Sequence, residues 1–529
     1  MIRSSACCAA AFALALTPEG ARAQSGEGAP LSAIDWLAQP DGPQSLPGGG
    51  SRRPDGGAWR PSAALGAGEP PVAGAVSIPD IEVTPLAAAT SGAVGLLPPS
   101  VTGLPADMWA QSTATALSDL WGRASQAPMP AIAALYHTLL LAEAEPPQGP
   151  EGAYLRSRVE MLRRLGAVEP ALELLERAGP FTPELFPAWF ELALLSGAES
   201  EACAALSKAP SLLSDDGARI YCATLTGDWP TAALLFDTGA ALGTLRGTEA
   251  VLLEQFLDPE LAEEAEPPIP SAAPSPLEFR LFEAIGAPLP TLGLPTAYAM
   301  ADLRGTVGWK AEIEAAERLA RVGALAPNRL MGLYTRQSAS ASGGVWDRVS
   351  AVQDLDEALA RGDLAASGAA LEAAWRLMRD EGLEMPFAQI VAGRIEPGGL
   401  PHTSADLAFR LALLTPDYEA AAAEAPPGRE AQFLAGLARG RPDTALANDP
   451  DQAMIAAAFS EAPEAAPEHA LLIEKGRLGE AILSAALQFD RASGDPGEMA
   501  SALRSFRAVG LEDTARRAAL QALILGRDS

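Results

Sequence analysis

The chain has 529 residues, 48% of them hydrophobic but only 5% aromatic, and a formal net charge of −29. That length suffices for a large core or for a long array sharing one core. The charge repels phosphate backbones and anionic bilayer faces, which excludes nucleic acid as a partner.

Alanine is about one residue in five. Small side chains let helices approach closely, and alanine has the highest helix propensity. β-branched runs with period-two alternation are nearly absent, so the expected class is all-α. The acidic residues are scattered among apolar ones, the pattern of a solvated surface or of an acidic docking face for a basic partner.

Residues 1–23 read as a signal peptide. Met1-Ile2-Arg3 gives a positive start, Ala6–Leu16 is an apolar run, and Ala21-Arg22-Ala23 is a small-x-small cleavage site before Gln24. The apolar run is too short to span a bilayer, and no transmembrane segment is expected elsewhere. Cleavage removes two arginines and one glutamate, leaving a mature charge of −30. The expected location is periplasmic or secreted.

Residues 24–104 are rich in Gly, Pro, Ser and Ala and lack sustained periodicity, so they read as a disordered arm. Helical sequence begins near Pro105 and opens an N-terminal helical block, 105–258. Within 153–245 one pattern occurs three times: Gly166 followed by Ala171, Gly197 by Ala202, and Gly227 by Ala232. Each glycine is flanked by apolar residues at helical spacing. Glycine makes the tight turn, and alanine five residues on lets the second helix lie against the first.

A Pro-rich connector, 259–275, separates this block from a C-terminal helical block, 276–529. The same turn recurs there as Gly440 with Ala445, Gly476 with Ala481, and Gly510 with Ala515. With 49 glycines and so much alanine, roughly ten such pairs arise by chance, so only regular separation and helical flanks make these six informative.

Gly227-Asp228-Trp229-Pro230-Thr231-Ala232, with Phe236 four residues further on, resembles the turn and second helix of tetratricopeptide repeats. Lys475-Gly476-Arg477-Leu478-Gly479-Glu480-Ala481 is the nearest match in the second block. The first-helix aromatic, Gly and Tyr pattern of that family is not reproduced. The resemblance covers about 153–245 and 430–529 and implies an α-solenoid of antiparallel helical hairpins, whose concave face is the usual binding surface.

After cleavage only Cys203 and Cys222 remain, an even pair in an oxidising compartment. They fall on successive antiparallel helices, which makes a disulfide the expectation and two buried free thiols the alternative. In the stretch before Trp346, Gly343 and Gly344 precede Trp346, Asp347 and Arg348, which reads either as a binding lip or as a turn into the next helix.

The three histidines, His137, His402 and His469, have no companions at metal-ligand spacing, and no phosphate loop, His-Glu-x-x-His or Gly-x-Ser-x-Gly sequence is present. No catalytic, metal or cofactor residue is therefore expected. Two functions fit: an exported, non-enzymatic scaffold binding an envelope protein, or an accessory that binds or cleaves cell-wall glycan.

Overall fold

A computed structural model describes residues 91–395, 399–460, 462–492 and 494–526. The signal peptide, its cleavage position at Ala23 and Gln24, and most of the expected arm lie outside the described residues. Among those described, the chain is all-helical, with two isolated bridges and no strand. All belong to one compact unit, Val83–Ser529.

The expected arm ends earlier than residue 104. Leu96 and Leu97 both donate backbone N–H groups to the Leu141 carbonyl, and Glu143 N donates back to Leu97 O. A short helix, α1 (Pro99–Thr102), follows. The fastener is Arg158, 1% exposed, whose guanidinium donates to the carbonyls of Leu140, Val94 and Ala142. A buried guanidinium needs acceptors for its donors, and irregular chain offers free carbonyls that a helix does not. Composition gave no hint of this local order.

Helices α2 (Ala114–Gly122) and α3 (Pro130–Leu141) precede three hairpins: α4 (Ala153–Arg164) with α5 (Val168–Ala178), α6 (Phe186–Ser196) with α7 (Glu199–Lys208), and α8 (Asp216–Leu225) with α9 (Trp229–Leu242). Gly166, Gly197 and Gly227 make the three turns at φ 76°, 85° and 79°. That left-handed backbone is one that only glycine adopts without strain. Ala171, Ala202 and Ala232 are each fully buried. Cys203 on α7 and Cys222 on α8 are joined by a disulfide, with Cα atoms 4.8 Å apart.

The connector region is partly helical. After α10 (Gly247–Leu257) comes α11 (Pro259–Glu264), held by the Asp258 side chain, which accepts from the N–H groups of Glu260 and Leu261. Asp at the N-cap and Pro at the first helical position open a helix even in Pro-rich sequence.

From α12 (Pro276–Ala284) the chain turns back over the first hairpins, through α13 (Ala299–Asp302), α14 (Trp309–Arg321) and α15 (Pro327–Tyr334). α12 packs on α6 and α10. A Cβ added at Gly166 would lie 2.8 Å from Thr296 and 3.0 Å from Leu319, and one at Gly197 would lie 2.9 Å from Arg304. Arg280 bonds Glu199 at 2.5 Å and also pairs with Glu283, which Arg304 reaches at 2.7 Å. Two of the three turns, at Gly166 and Gly197, thus have another segment against them, where an open stack of hairpins leaves them bare; the turn at Gly227 stays open.

The most extensive pairing joins α16 (Val345–Arg361) and α17 (Leu364–Arg379) across Gly362, φ 66°. Asp363 caps α17 by accepting from Ala366 N at 3.0 Å, and Ser367, five residues after the glycine, is buried. α18 (Glu384–Val391), α19 (His402–Leu413), α20 (Tyr418–Ala423) and α21 (Arg429–Ala438) lead to Gly440.

One expected hairpin fails there. Gly440 is a turn at φ 69°, but Ala445 is exposed, in a single 3-10 turn (Thr444–Leu446), and the next helix, α22, begins only at Pro450 (Pro450–Ser460). Pro442 and Asp443 break the run, and the Asp443 side chain caps the short turn instead, accepting from Ala445 N. The other two turns form. Gly476 joins α23 (Pro467–Glu474) to α24 (Leu478–Arg491), and Gly510 joins α25 (Pro496–Ala508) to α26 (Glu512–Leu525). Ala481 and Ala515 are buried in them.

The helices that open the described chain pack against those that close it. α3 lies on α26 and α24. Ala131 N donates to Gln521 Oε1 at 2.6 Å, Met129 N to Asp490 Oδ1 at 3.2 Å, and Gly479 N to Met108 O at 3.0 Å. Gly479 has no room for a side chain, since a Cβ there would sit 2.4 Å from the Trp109 ring.

Candidate interaction surface

Of the two readings of Gly343–Arg348, the geometry is that of a turn into the next helix, and the five residues do not converge on one point. Gly343 and Gly344 are exposed with φ 94° and 58°, but Asp347 turns back to accept the Gly343 N–H at 2.8 Å. Trp346 lies in the first turn of α16, half-buried, its ring 5.0 Å from Trp309. Arg348 points into the protein and bonds Glu317 through two nitrogens, at 2.6 and 2.8 Å, and Glu381 at 3.1 Å. A guanidinium committed this way fixes helices and leaves nothing for a ligand.

A cleft of about 800 Å³ opens beside the packing of α3 on α24 and α26, lined by Arg123, Met129, Phe489, Asp490, Arg491 and Leu523 among others. Its polar groups are used for closure. Asp490 accepts from Met129 N, and Arg491 donates to Arg123 O at 3.3 Å. Burial pushes the Asp490 carboxyl up, which the bond from Met129 partly offsets.

The histidines stay apart. His137 is half-buried on α3 and burial lowers its pKa. His469 is buried, also lowered by burial, with Nδ1 2.9 Å from Ser505 Oγ. His402 is exposed, 3.2 Å from Asp406. Among the described residues no group of His, Cys, Asp or Glu is placed to hold a metal ion, and no helix is long and apolar enough to cross a membrane.

Helix α9 is different. Its sequence, WPTAALLFDTGAAL, carries a single charged residue, Asp237, in 14 positions. A helix apolar all round belongs in a core, yet only one side of α9 is covered. Ala232 and Gly239 are buried and Leu235 and Phe236 half-buried where α9 meets α8 and α10. On the other sides Trp229 is 47%, Leu234 67% and Leu242 73% exposed, with Ala233, Ala240 and Ala241 also open. The neighbouring α10 adds exposed Val251.

The helix itself is well made. Asp228 caps it by accepting from Thr231 N, Pro230 sits in the first turn, and Gly243 closes it at φ 69°. The bare face therefore belongs to a well-terminated helix. Single exposed apolar residues are ordinary on a protein surface, but Leu234, Ala241 and Leu242 share one uncovered side of α9, and a grouped apolar surface marks an interaction site. Covering side chains of this size contributes about 1.5–3 kcal/mol each before the costs of association.

Comparison with protein families, curated proteins and solved structures found no match to this chain.

Proposed function

We propose that the chain is an exported, non-enzymatic scaffold, built on tetratricopeptide-like hairpins, that holds a protein partner on the outer face of α9. The observation that carries this reading is the apolar, half-covered helix, on which Trp229, Leu234 and Leu242 are left exposed. The Cys203–Cys222 disulfide supports an oxidising compartment, in keeping with a signal peptide cleaved between Ala23 and Gln24. The partner would be another component of the cell envelope.

Two measurements test this. The mass of the protein recovered from the envelope fraction should correspond to a chain starting at Gln24. A photo-crosslinker at position 234 should give a discrete adduct that one at Leu471, exposed on α23, does not, and Leu242→Glu should abolish the adduct. Full-length protein in the cytosol, or identical adducts from both positions, overturns the proposal.

A further inference from the structure

Helix α9 opens an acidic stretch of the chain. Residues 228–266 contain nine carboxylates (Asp228, Asp237, Glu249, Glu254, Asp258, Glu260, Glu263, Glu264 and Glu266) and one basic residue, Arg246, for a formal charge of −8 in 39 positions. Asp237 is exposed on α9 itself, and Glu254 and Asp258 are exposed on and just after the adjoining α10.

The C-terminal end of α9 meets a second group of acids. Thr244 donates to Asp216 at 2.8 Å, tying this end to the start of α8. Glu249 lies there too, its Oε1 within 2.1 Å of where a Gly217 side chain would begin. Burial, then the charges of Asp215, Glu278 and Asp216, push the Glu249 carboxyl up. The local cations are Arg219, 3.7 Å from Asp216, and Arg246, which turns back onto the Gly243 carbonyl. The carbonyl end of a helix adds further negative potential.

An apolar ridge with acidic flanks is complementary to one kind of partner. A second copy would set −8 against −8, and like charges across an interface oppose it. An anionic membrane is repelled for the same reason. Resting on the docking reading of α9, we infer that this face receives a basic amphipathic helix from another protein. Its apolar stripe, spaced i, i+3, i+4, i+7, lies along Leu234, Ala241 and Leu242, which share one side of α9, and its Lys and Arg side chains reach the flanking carboxylates. This is the helix-on-apolar-surface mode of recognition, and the charges set orientation and encounter rate more than depth of binding.

The probe is a fluorescent Leu/Lys peptide with leucines at helical spacing, titrated into the mature protein, residues 24–529. Three comparison peptides share its length: one with the leucines scrambled, one with Glu for Lys, and one with Gln for Lys. The inference expects saturable binding of the Leu/Lys helix with a change in Trp229 emission. Binding should weaken at least about tenfold in Leu234→Glu, several-fold in Asp237→Lys with Glu254→Lys, and several-fold as salt rises from about 50 to 300 mM. Equal binding of the scrambled basic peptide, or no effect of Leu234→Glu, shows charge attraction alone and overturns it. Leu234-dependent binding of the Gln or Glu peptide in preference to the basic one keeps α9 as a docking face but overturns the basic partner. Leu234-dependent dimerisation of the protein alone, with no peptide bound, makes a second copy the occupant and overturns it as well. Circular dichroism of each variant confirms that the fold is retained.

Discussion

Arg348 and Glu317 face each other from α16 and α14 as a buried, two-point pair, Nη2 to Oε2 at 2.6 Å and Nε to Oε1 at 2.8 Å, with the Tyr334 hydroxyl also donating to Oε1 at 2.8 Å. Glu317 is 3% exposed and Arg348 6%. Removing one partner strands the other charge away from water. Arg348→Ala should cost about 3–5 kcal/mol in urea unfolding, whereas Arg348→Met with Glu317→Leu should come close to the wild type. A single substitution as mild as the double one would show that the pair does not fasten these helices.

The disulfide closes a loop over a separation of 19 residues. In the chain-entropy account a loop of that size contributes about 3 kcal/mol. Unfolded mature protein should show no reactive thiol before reduction and two after it. The Cys203→Ala, Cys222→Ala double variant should lose about that much stability.

The turn glycines separate backbone demand from packing. Gly510 has φ 84° and open space where a side chain would go, while Gly166 has φ 76° and meets Thr296 and Leu319. Gly510→Ala should cost about 1–2 kcal/mol for left-handed backbone alone. Gly166→Ala should cost more, because the fold-back of α12–α15 must also give way. Equal losses, measured by thermal and urea unfolding, would mean that Thr296 and Leu319 do not press on the turn.

Acidification should loosen the fold through two histidines held neutral by burial. Burial holds the pKa values of His469 and His137 below 6.5, with the Glu468 charge opposing the effect at His469. The unfolded chain then binds protons that the folded chain does not, so stability is full above pH 6.5 and falls as pH drops below it. Urea midpoints at pH 7.5, 6.5 and 5.5 should decline in that order. His469→Gln should flatten the decline.

Much of the helical architecture is legible along the chain because glycine in a left-handed turn and alanine under a crossing helix are local demands. Five of the six expected glycine–alanine pairs are helix–turn–helix junctions with the alanine buried. The exception, Gly440 with Ala445, has the residues but not the helix after them, as compositional chance allows. The converse case is Gly362: serine at 367 stands in place of the alanine, so the most extensive helix pairing among the described residues lacks the glycine–alanine spacing, although Gly362-Asp363 is the same turn-and-cap signal as Gly227-Asp228.

Contacts between distant segments left no trace to read. Gly479 against Trp109 and Gly166 against Leu319 depend on surfaces made of common small and apolar residues. The candidate site was hidden for a related reason. Trp229 and Phe236 in α9 look like core positions of a repeat, and periodicity has nothing to report in a helix apolar on every side. Arg348 misled in the opposite direction, since beside two glycines a charged residue reads as surface.

The packing of α3 on α24 and α26 sets a schedule. The Ala131–Gln521 bond joins residues 390 positions apart. At about 5–20 residues per second, the usual pace of synthesis, α3 must wait roughly 20–80 seconds for α26 to exist. During that interval the side of α3 that meets α24 and α26 has nothing to lie against. A polypeptide delivered front end first, from a ribosome or through a pore, therefore finishes this unit only when its last helix arrives, and stays threadable until then.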